Sequence, residues 1–445
     1  MVPTAPDAGT ATPRLDTLDA PAPWLAWTNS AAARLAVLTA VVVGVAYNLV
    51  GFPGLRKLGD YYRLDLDVYR IGGTALANGV PLYGALPMTA LGKPLPFTYP
   101  PLAAIVFSPM SALSLEHASL ALTAVSLVLL LGTILLTLRS LGLAGRDTVT
   151  WAAGALFAGA LLLEPVYSTL DYGQVNIALM ALVAADCLLP RTPWPRGLLV
   201  GLVAAVKLTP AVFVLFFLLR KDFRAAVMTG VGFLGGAAVG FLVSFSDAKT
   251  YWTETLVDSG RIGLPAYPAN QSFTGMLARL GLDPAVRTPV WVLACLLTLA
   301  VTVVAVRRSL GSQRPALALT ATAVFGLLAS PVSWSHHWVW VVPMLMVFGH
   351  LALGRTPQPQ WQRALWASWT LAGIALFVIA PHWRLTPGRT SGLDWPLWDQ
   401  FLASSYVWWG LASLVLVAVV RLAPAGTGRP TAAAPARDDA LAPAS

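Results

Sequence analysis

Asp65-Leu-Asp67-Val-Tyr69-Arg70 sets two carboxylates two positions apart within YYRLDLDVYRIGGTALANGVPLYG, a stretch rich in aromatic and aliphatic residues that runs on into LPFTYPPLAAIVFSP. A carboxylate held beside a cavity can deprotonate a sugar hydroxyl within hydrogen-bond reach. The same spacing imitates the metal-holding pair of nucleotide-sugar enzymes, where a divalent cation neutralises a diphosphate. It also fits a solvated turn in which one carboxylate pairs with Arg63 or Arg70. On a strand the two aspartates would share a face, whereas on a helix they would diverge.

Lys207 stands in the middle of the apolar run GLLVGLVAAVKLTPAVFVLFFLL. An ammonium at such depth is costly, so a function is the default reading, with snorkelling to an interface as the structural alternative. Facing a cavity, it would hold a phosphate as a point charge. His336 and His337 lie among Trp334, Trp338 and Trp340, which also fits an interfacial aromatic belt. Adjacent histidines on a helix point about 100° apart, so one contact to phosphate or sugar is more natural than a shared metal. Gln174, Asn176, Asn270, Gln271 and Ser272 stand at helix entrances, where capping and hydrogen bonds to sugar hydroxyls compete as explanations. Tyr69, Arg70, Tyr99 and Trp334 complete the candidate substrate-binding set. Glu116, His117, Asp186 and His350 are read as structural.

The elements that must position these residues are membrane spans. Of 445 residues 57% are hydrophobic and 11% charged, as expected of a chain surrounded by lipid and by other apolar helices. The net charge of +9 is spread over short connections, which excludes a nucleic-acid face. Cys187 and Cys295 fall inside apolar runs with no metal-ligand spacing, so neither a disulfide nor a zinc site is expected. Residues 1–29 lack the basic start and apolar core of a cleavable signal and read as an unstructured cytoplasmic tail. Residues 422–445, rich in Ala and Pro, read as a second such tail, leaving 30–421 as one membrane domain.

Apolar runs occur near 32–52, 118–138, 149–163, 174–190, 225–245, 288–306, 316–330, 337–354, 364–380 and 401–421. The connections with Arg139 and Arg146, Arg191 and Arg196, Arg220 to Arg224, Arg307 to Arg314, and Arg355 with Arg363 are short and basic, hence cytoplasmic. Residues 197–219 are flanked by two of these, so a single crossing would invert all that follows. The Lys207-Leu208-Thr209-Pro210 cluster resolves this as two short helices meeting at a turn inside the membrane, tolerated where it lines a cavity. About twelve helices result, with both tails inside and a long first outer loop at 53–117. Every polar motif then falls on the outer face: the Asp65 loop, 164–176, 207–210, 246–287, 330–338 and 382–400. Such one-sidedness favours surface chemistry over a transporter, which would carry intramembrane polar groups and related halves.

Together DLDVYRIGG, PLYG, PFTYPPLA, GQVN, KLTP, NQS and SPVSWSHHW resemble the actinobacterial polyprenyl-phosphomannose-dependent α-mannosyltransferases, integral GT-C enzymes of glycosyltransferase family 87. The resemblance runs from about residue 60 to 350, with only the hydrophobic character continuing beyond. It implies an all-α polytopic fold of twelve to thirteen helices and a polyprenyl-phosphate-mannose donor. It further implies inverting transfer that forms α-(1→2) linkages on a mannosylated glycolipid: phosphatidylinositol mannoside, lipomannan or lipoarabinomannan. Asp65 matches the family's catalytic base, Asp67 a variable position, and Lys207 with His336 and His337 the surroundings of the donor phosphate. No cofactor or metal is implied, because lysine, histidine and hydrogen-bond donors can stabilise a monophosphate leaving group. Such an enzyme would sit in the plasma membrane with its site facing the periplasm. A polyprenyl-phosphate-arabinose-dependent arabinofuranosyltransferase and a lipid or polysaccharide transporter are the alternatives.

Overall fold

The computed structural model describes residues 23–52, 59–354, 358–384 and 395–424. Most of the two expected tails, the connection at Arg355, and positions 385–394 of the last outer motif lie outside the described residues. The reading of 1–29 as one unstructured tail is corrected at its end. Pro23–Asn29 form a 3₁₀ helix that buries Leu25 and Thr28, because an apolar residue there finds the first span to pack on.

The described regular elements are helical, with an isolated β-bridge between Asn270 and Trp334. In chain order the first part comprises α1 (Ala31–Leu49), α2 (Leu64–Ala77), α3 (Pro101–Ser111), α4 (Leu115–Ser140), α5 (Arg146–Ala160), α6 (Glu164–Tyr172) and α7 (Asn176–Leu188). There follow α8 (Leu198–Val206), α9 (Val214–Leu219), α10 (Phe223–Val243), α11 (Phe245–Thr250), α12 (Phe273–Arg279), α13 (Pro284–Gly311) and α14 (Pro315–Ala329). The last are α15 (Val341–Leu353), α16 (Gln360–Ile379), α17 (Pro381–Arg384), α18 (Leu397–Ala403) and α19 (Ser405–Val419).

The chain is a multi-pass membrane protein: among the described residues six helical segments are long and apolar enough to cross a bilayer singly, and up to eight if two bent pairs each count as a span. The bends are 72° between α5 and α6 and 64° between α18 and α19. α7, with 13 residues, and α14, with 15, are shorter than the roughly 20 that a bilayer core requires, although the expectation of twelve counts both.

The interruption expected at Lys207 is present. α8 ends at Val206, Lys207 is extended (φ −146°, ψ 122°), and a 3₁₀ turn at Thr209–Phe213 leads into α9. Pro210 offers no N–H to the carbonyl of Val206, so the helix cannot run through. Gly201 abuts Thr229 and Gly232, while Ala205 abuts Gly236 further along, so α8 and α10 run parallel. Two parallel helices joined through α9 require α9 to run back. Arg196 before α8 and Arg220 after α9 accordingly both donate to the carbonyl of Cys187, at one end of the bundle. At the other end, hydrogen bonds among 164–176, 267–279, 330–340 and 400–406 draw the polar motifs together.

The long loop expected at 53–117 is helical where Asp65 and Asp67 lie. α2 opens at Leu64 with both carboxylates in its first turn, where they favour the positive end of the helix dipole. Gly72 faces the Phe97 ring and Gly73 the backbone of Ser108, so α2 lies flush on α3 and on the segment leading to it.

Candidate active site

A cavity of about 620 Å³ opens among α2, the 95–100 segment, the Gln174 turn, the α8–α9 break, the 251–262 segment and the ends of α13 and α14. Its size lies within the roughly 300–1,000 Å³ usual for small-molecule sites. Polar groups at one wall are Asp65, Tyr99, Gln174, Lys207 and His337; Trp291, Phe325 and Ala329 supply an apolar wall.

Gly173 brings the Gln174 turn onto α2. It ends α6 in the left-handed region (φ +67°), and a Cβ there would meet Arg63 and Leu66. Only glycine permits both the turn and the approach. Gln174 is thereby seated over α2, where its amide engages the Asp65 carboxylate. Its Oε1 accepts from Tyr69 Oη at 2.6 Å, and its Nε2 donates to Tyr99 Oη at 3.2 Å. Tyr69 is fully buried and stacked on Phe107 at 4.1 Å, so it fixes Gln174 from behind and does not line the cavity.

Lys207, released from helical geometry, reaches the same group. Its Nζ donates to Asn176 Oδ1 at 2.9 Å and to Gln174 Oε1 at 3.4 Å, and lies 3.4 Å from His337 Nε2 and 5.7 Å from the centre of the Tyr99 ring. Asn176 Nδ2 and Thr169 Oγ1 both donate to the carbonyl of His336, at 2.9 and 2.8 Å, which fixes the two-histidine turn. Burial raises the Asp65 carboxyl to about 6, against the lowering effects of the Gln174 hydrogen bond and the Lys207 charge. A carboxylate with so raised a value takes a proton more readily than an ordinary one.

The structure separates residues that sequence left paired. On a helix Asp65 and Asp67 diverge by about 200°. Asp67, the second catalytic candidate, is buried away from the cavity, accepting from Ala90 N at 2.7 Å and facing Arg70 at 3.9 Å, so the structure does not bring it to the cavity wall with Asp65. Arg70, expected among the substrate contacts, donates to the carbonyls of Met110 and Leu113 at the end of α3 and lines no part of the cavity. His337 lines the cavity, whereas His336 packs on Tyr172 and does not. Asn176 lies behind Lys207 and lines a smaller adjoining hollow.

Asn270 and Gln271, expected among the substrate contacts, lie outside the lining of this cavity. Asn270 is fully buried, accepts from Ser272 and Ser333, and donates to Pro265. Gln271 is likewise buried, with Nε2 donating to Pro268 and Ala403. They clamp the 267–272 turn onto the histidine turn and the start of α19, since buried amides take backbone partners when water is excluded. Trp334 lines the cavity, with its ring edge against Gly263.

Two residues were missed. Glu164 is fully buried and accepts from Ser335, Trp383 and Tyr406, anchoring the histidine turn. Arg261 lines the cavity. The signal for Arg261 was a basic residue on the face that the positive-inside bias leaves poor in them; that for Glu164 was a carboxylate bordering an apolar run.

Residues 97–331 match glycosyltransferase family 87. A polyprenol-phosphate-mannose-dependent α-(1-2)-phosphatidylinositol mannoside mannosyltransferase of Mycolicibacterium smegmatis is 46% identical, over 84% of this chain and 88% of its own. One of the same description from Mycobacterium tuberculosis is 42% identical, over 86% of this chain and 91% of its own. A polyprenol-phosphate-mannose-dependent α-(1-2)-phosphatidylinositol pentamannoside mannosyltransferase of M. tuberculosis is 34% identical, over 79% of this chain and 78% of its own.

Proposed function

The chain belongs to glycosyltransferase family 87, and from that premise we propose that it transfers mannose from polyprenyl-phosphate-mannose to a mannosylated phosphatidylinositol glycolipid, with inversion, forming an α-(1→2) linkage. The observation that carries the reading is the convergence of a carboxylate, Asp65, and a cation, Lys207, on one amide, Gln174, at a cavity wall shared with His337. The relatives' names supply the sugar, its carrier and the acceptor class.

In the proposed displacement Asp65 takes the proton of an acceptor mannose hydroxyl as its oxygen bonds to the donor anomeric carbon. The bond from that carbon to the phosphate oxygen breaks, and polyprenyl phosphate leaves with the electron pair. Lys207 Nζ and His337 meet the growing negative charge on the phosphate, the arrangement that electrostatic stabilisation requires. Tyr99 and Trp334 offer ring faces to the sugars, and the apolar wall of Trp291, Phe325 and Ala329 accommodates the start of the polyprenyl chain. The site faces the outer side of the plasma membrane, a placement supported by the basic connections gathered at the opposite end.

The test is transfer from radiolabelled polyprenyl-phosphate-mannose to a panel of mannosylated lipids by protein in nanodiscs, with and without EDTA, comparing wild type and Asp65→Asn. Transfer that survives EDTA and vanishes in the variant supports the mechanism. Absence of transfer to every acceptor, with donor still bound, would sink the reading in favour of another sugar or a transporter.

A further inference from the structure

We propose that Arg261 forms a second sugar subsite in the cavity, holding the acceptor mannose next to the one whose hydroxyl reacts, so that the enzyme favours a chain of at least two mannoses over a single residue. The proposal rests on the mannosyltransferase reading and deepens it. Its starting point is the number of polar centres in the cavity. Gln174, Asn176 and His337 all gather on Lys207 Nζ at the first centre. Arg261 stands apart from that group and reaches the cavity from the 3₁₀ turn Ser259–Ile262, within the 246–287 segment.

The setting of Arg261 suits a neutral, hydroxyl-rich ligand. One guanidinium nitrogen, Nη2, donates to the carbonyl of Tyr83 at 3.1 Å, which fixes the plane of the fork. Nε is enclosed and has no hydrogen-bond partner, and among the described residues Arg261 makes no ion pair. A guanidinium held by one carbonyl and not neutralised by a carboxylate keeps donor capacity for adjacent hydroxyl oxygens. Asp258, one turn earlier, also lines the cavity and supplies an acceptor, while Trp334 and Tyr251 contribute rings to the same wall. Cation, carboxylate and aromatic face together match the donors, acceptors and apolar face of a pyranose. The cavity volume of about 620 Å³ exceeds what one hexose and its phosphate need.

The same residue also stitches the 53–117 loop to the 246–287 segment, beside the Leu82 N to Asp247 Oδ1 hydrogen bond of 2.9 Å and the Tyr83–Tyr251 ring contact at 5.6 Å. The experiment must therefore separate sugar binding from loop closure. Full-length protein in nanodiscs is given polyprenyl-phosphate-mannose and either an alkyl α-mannoside or an alkyl α-mannobioside, and kcat/KM is measured for each. Binding of the mannobioside is followed separately by calorimetry.

The expected result is a wild-type preference for the mannobioside that falls roughly ten- to a hundred-fold in Arg261→Ala, chiefly through KM, as loss of hydrogen bonds to a charged donor implies. Arg261→Lys keeps the charge but not the fork, and is expected to lose most of the preference too. Asp247→Ala loosens the neighbouring stitch outside the cavity and should retain it. A wild type without preference would overturn the proposal. So would an Arg261→Ala ratio equal to wild type, or an equal loss in Asp247→Ala. If wild type transfers to no mannoside, the mannosyltransferase reading fails. Calorimetry then still reads the subsite: mannobioside binding weakened in Arg261→Ala upholds it, and undiminished binding overturns it.

Discussion

At the scale of residues, the site depends on which of two aspartates looks inward. Asp65→Asn is expected to lower kcat by roughly 10² to 10⁴ with little change in donor binding, the usual loss for a general base. Asp67→Asn is expected to cost far less, because an amide oxygen can still accept from Ala90 N; equal losses in both variants would overturn the assignment. Burial raises Asp65 to about 6 from the ordinary value near 4. As the proposed base Asp65 must be ionised, so kcat/KM should fall as pH drops through about 6; a limb centred near 4 would contradict the burial. The sign for stability is opposite. A carboxyl that binds its proton more tightly when folded adds stability that is fully present below about 4 and is lost as pH rises through about 6. Asp65→Asn, which mimics the protonated form, should therefore melt no lower than wild type at neutral pH while being nearly inactive, as scanning fluorimetry in detergent would check.

At the scale of elements, the α8–α10 pair holds the broken segment against the bundle. Thr229, Gly232, Gly236 and Gly240 are buried along one face of α10, the small-residue pattern that lets helices approach closely in lipid. A Cβ at Gly201 would stand 2.1 Å from the carbonyl oxygen of Thr229. Gly201→Val is expected to destabilise by about 1–3 kcal/mol or more, as overpacking does, and to displace Lys207 with the end of α8. A lowered midpoint in thermal unfolding, together with a raised donor KM, is the expected outcome; a normal midpoint would contradict the close packing. The break at Lys207 was legible because an ammonium and a proline in a run bounded by basic ends allow few structures. The helix α2 was not. Gly72 and Gly73 oppose helix formation on propensity and are explained only by the Phe97 ring and Ser108 backbone lying against them.

At the scale of the whole molecule, the long apolar runs and basic turns made the multi-pass fold readable, because lipid and water impose a length and a sign on every segment. Tertiary placement was not so constrained. Asn270 and Gln271 read equally well as sugar ligands or clamps until Ser333 and Ala403 were seen against them. Arg70 likewise needed the end of α3 to reveal its role. Sidedness gives a direct prediction: in a Cys295→Ser background, a membrane-impermeant maleimide should label Lys93→Cys, an exposed position of the 89–93 turn, in intact cells. Arg146→Cys, at the start of α5, should react only after permeabilisation. The reverse pattern would place the site on the cytoplasmic side.

The cavity wall formed by Trp291 and Cys295 of α13 with Phe325 and Ala329 of the largely buried α14 adjoins the exposed apolar side chains Leu293, Leu296 and Leu297 of α13. Donor and spent carrier that enter along this wall would move within the bilayer plane and never cross bulk water. Their supply is then a two-dimensional concentration, set by mole fraction among lipids. Diluting the bilayer with inert lipid at constant donor per volume should slow turnover, whereas the response to a water-soluble mannoside should track its ordinary molarity.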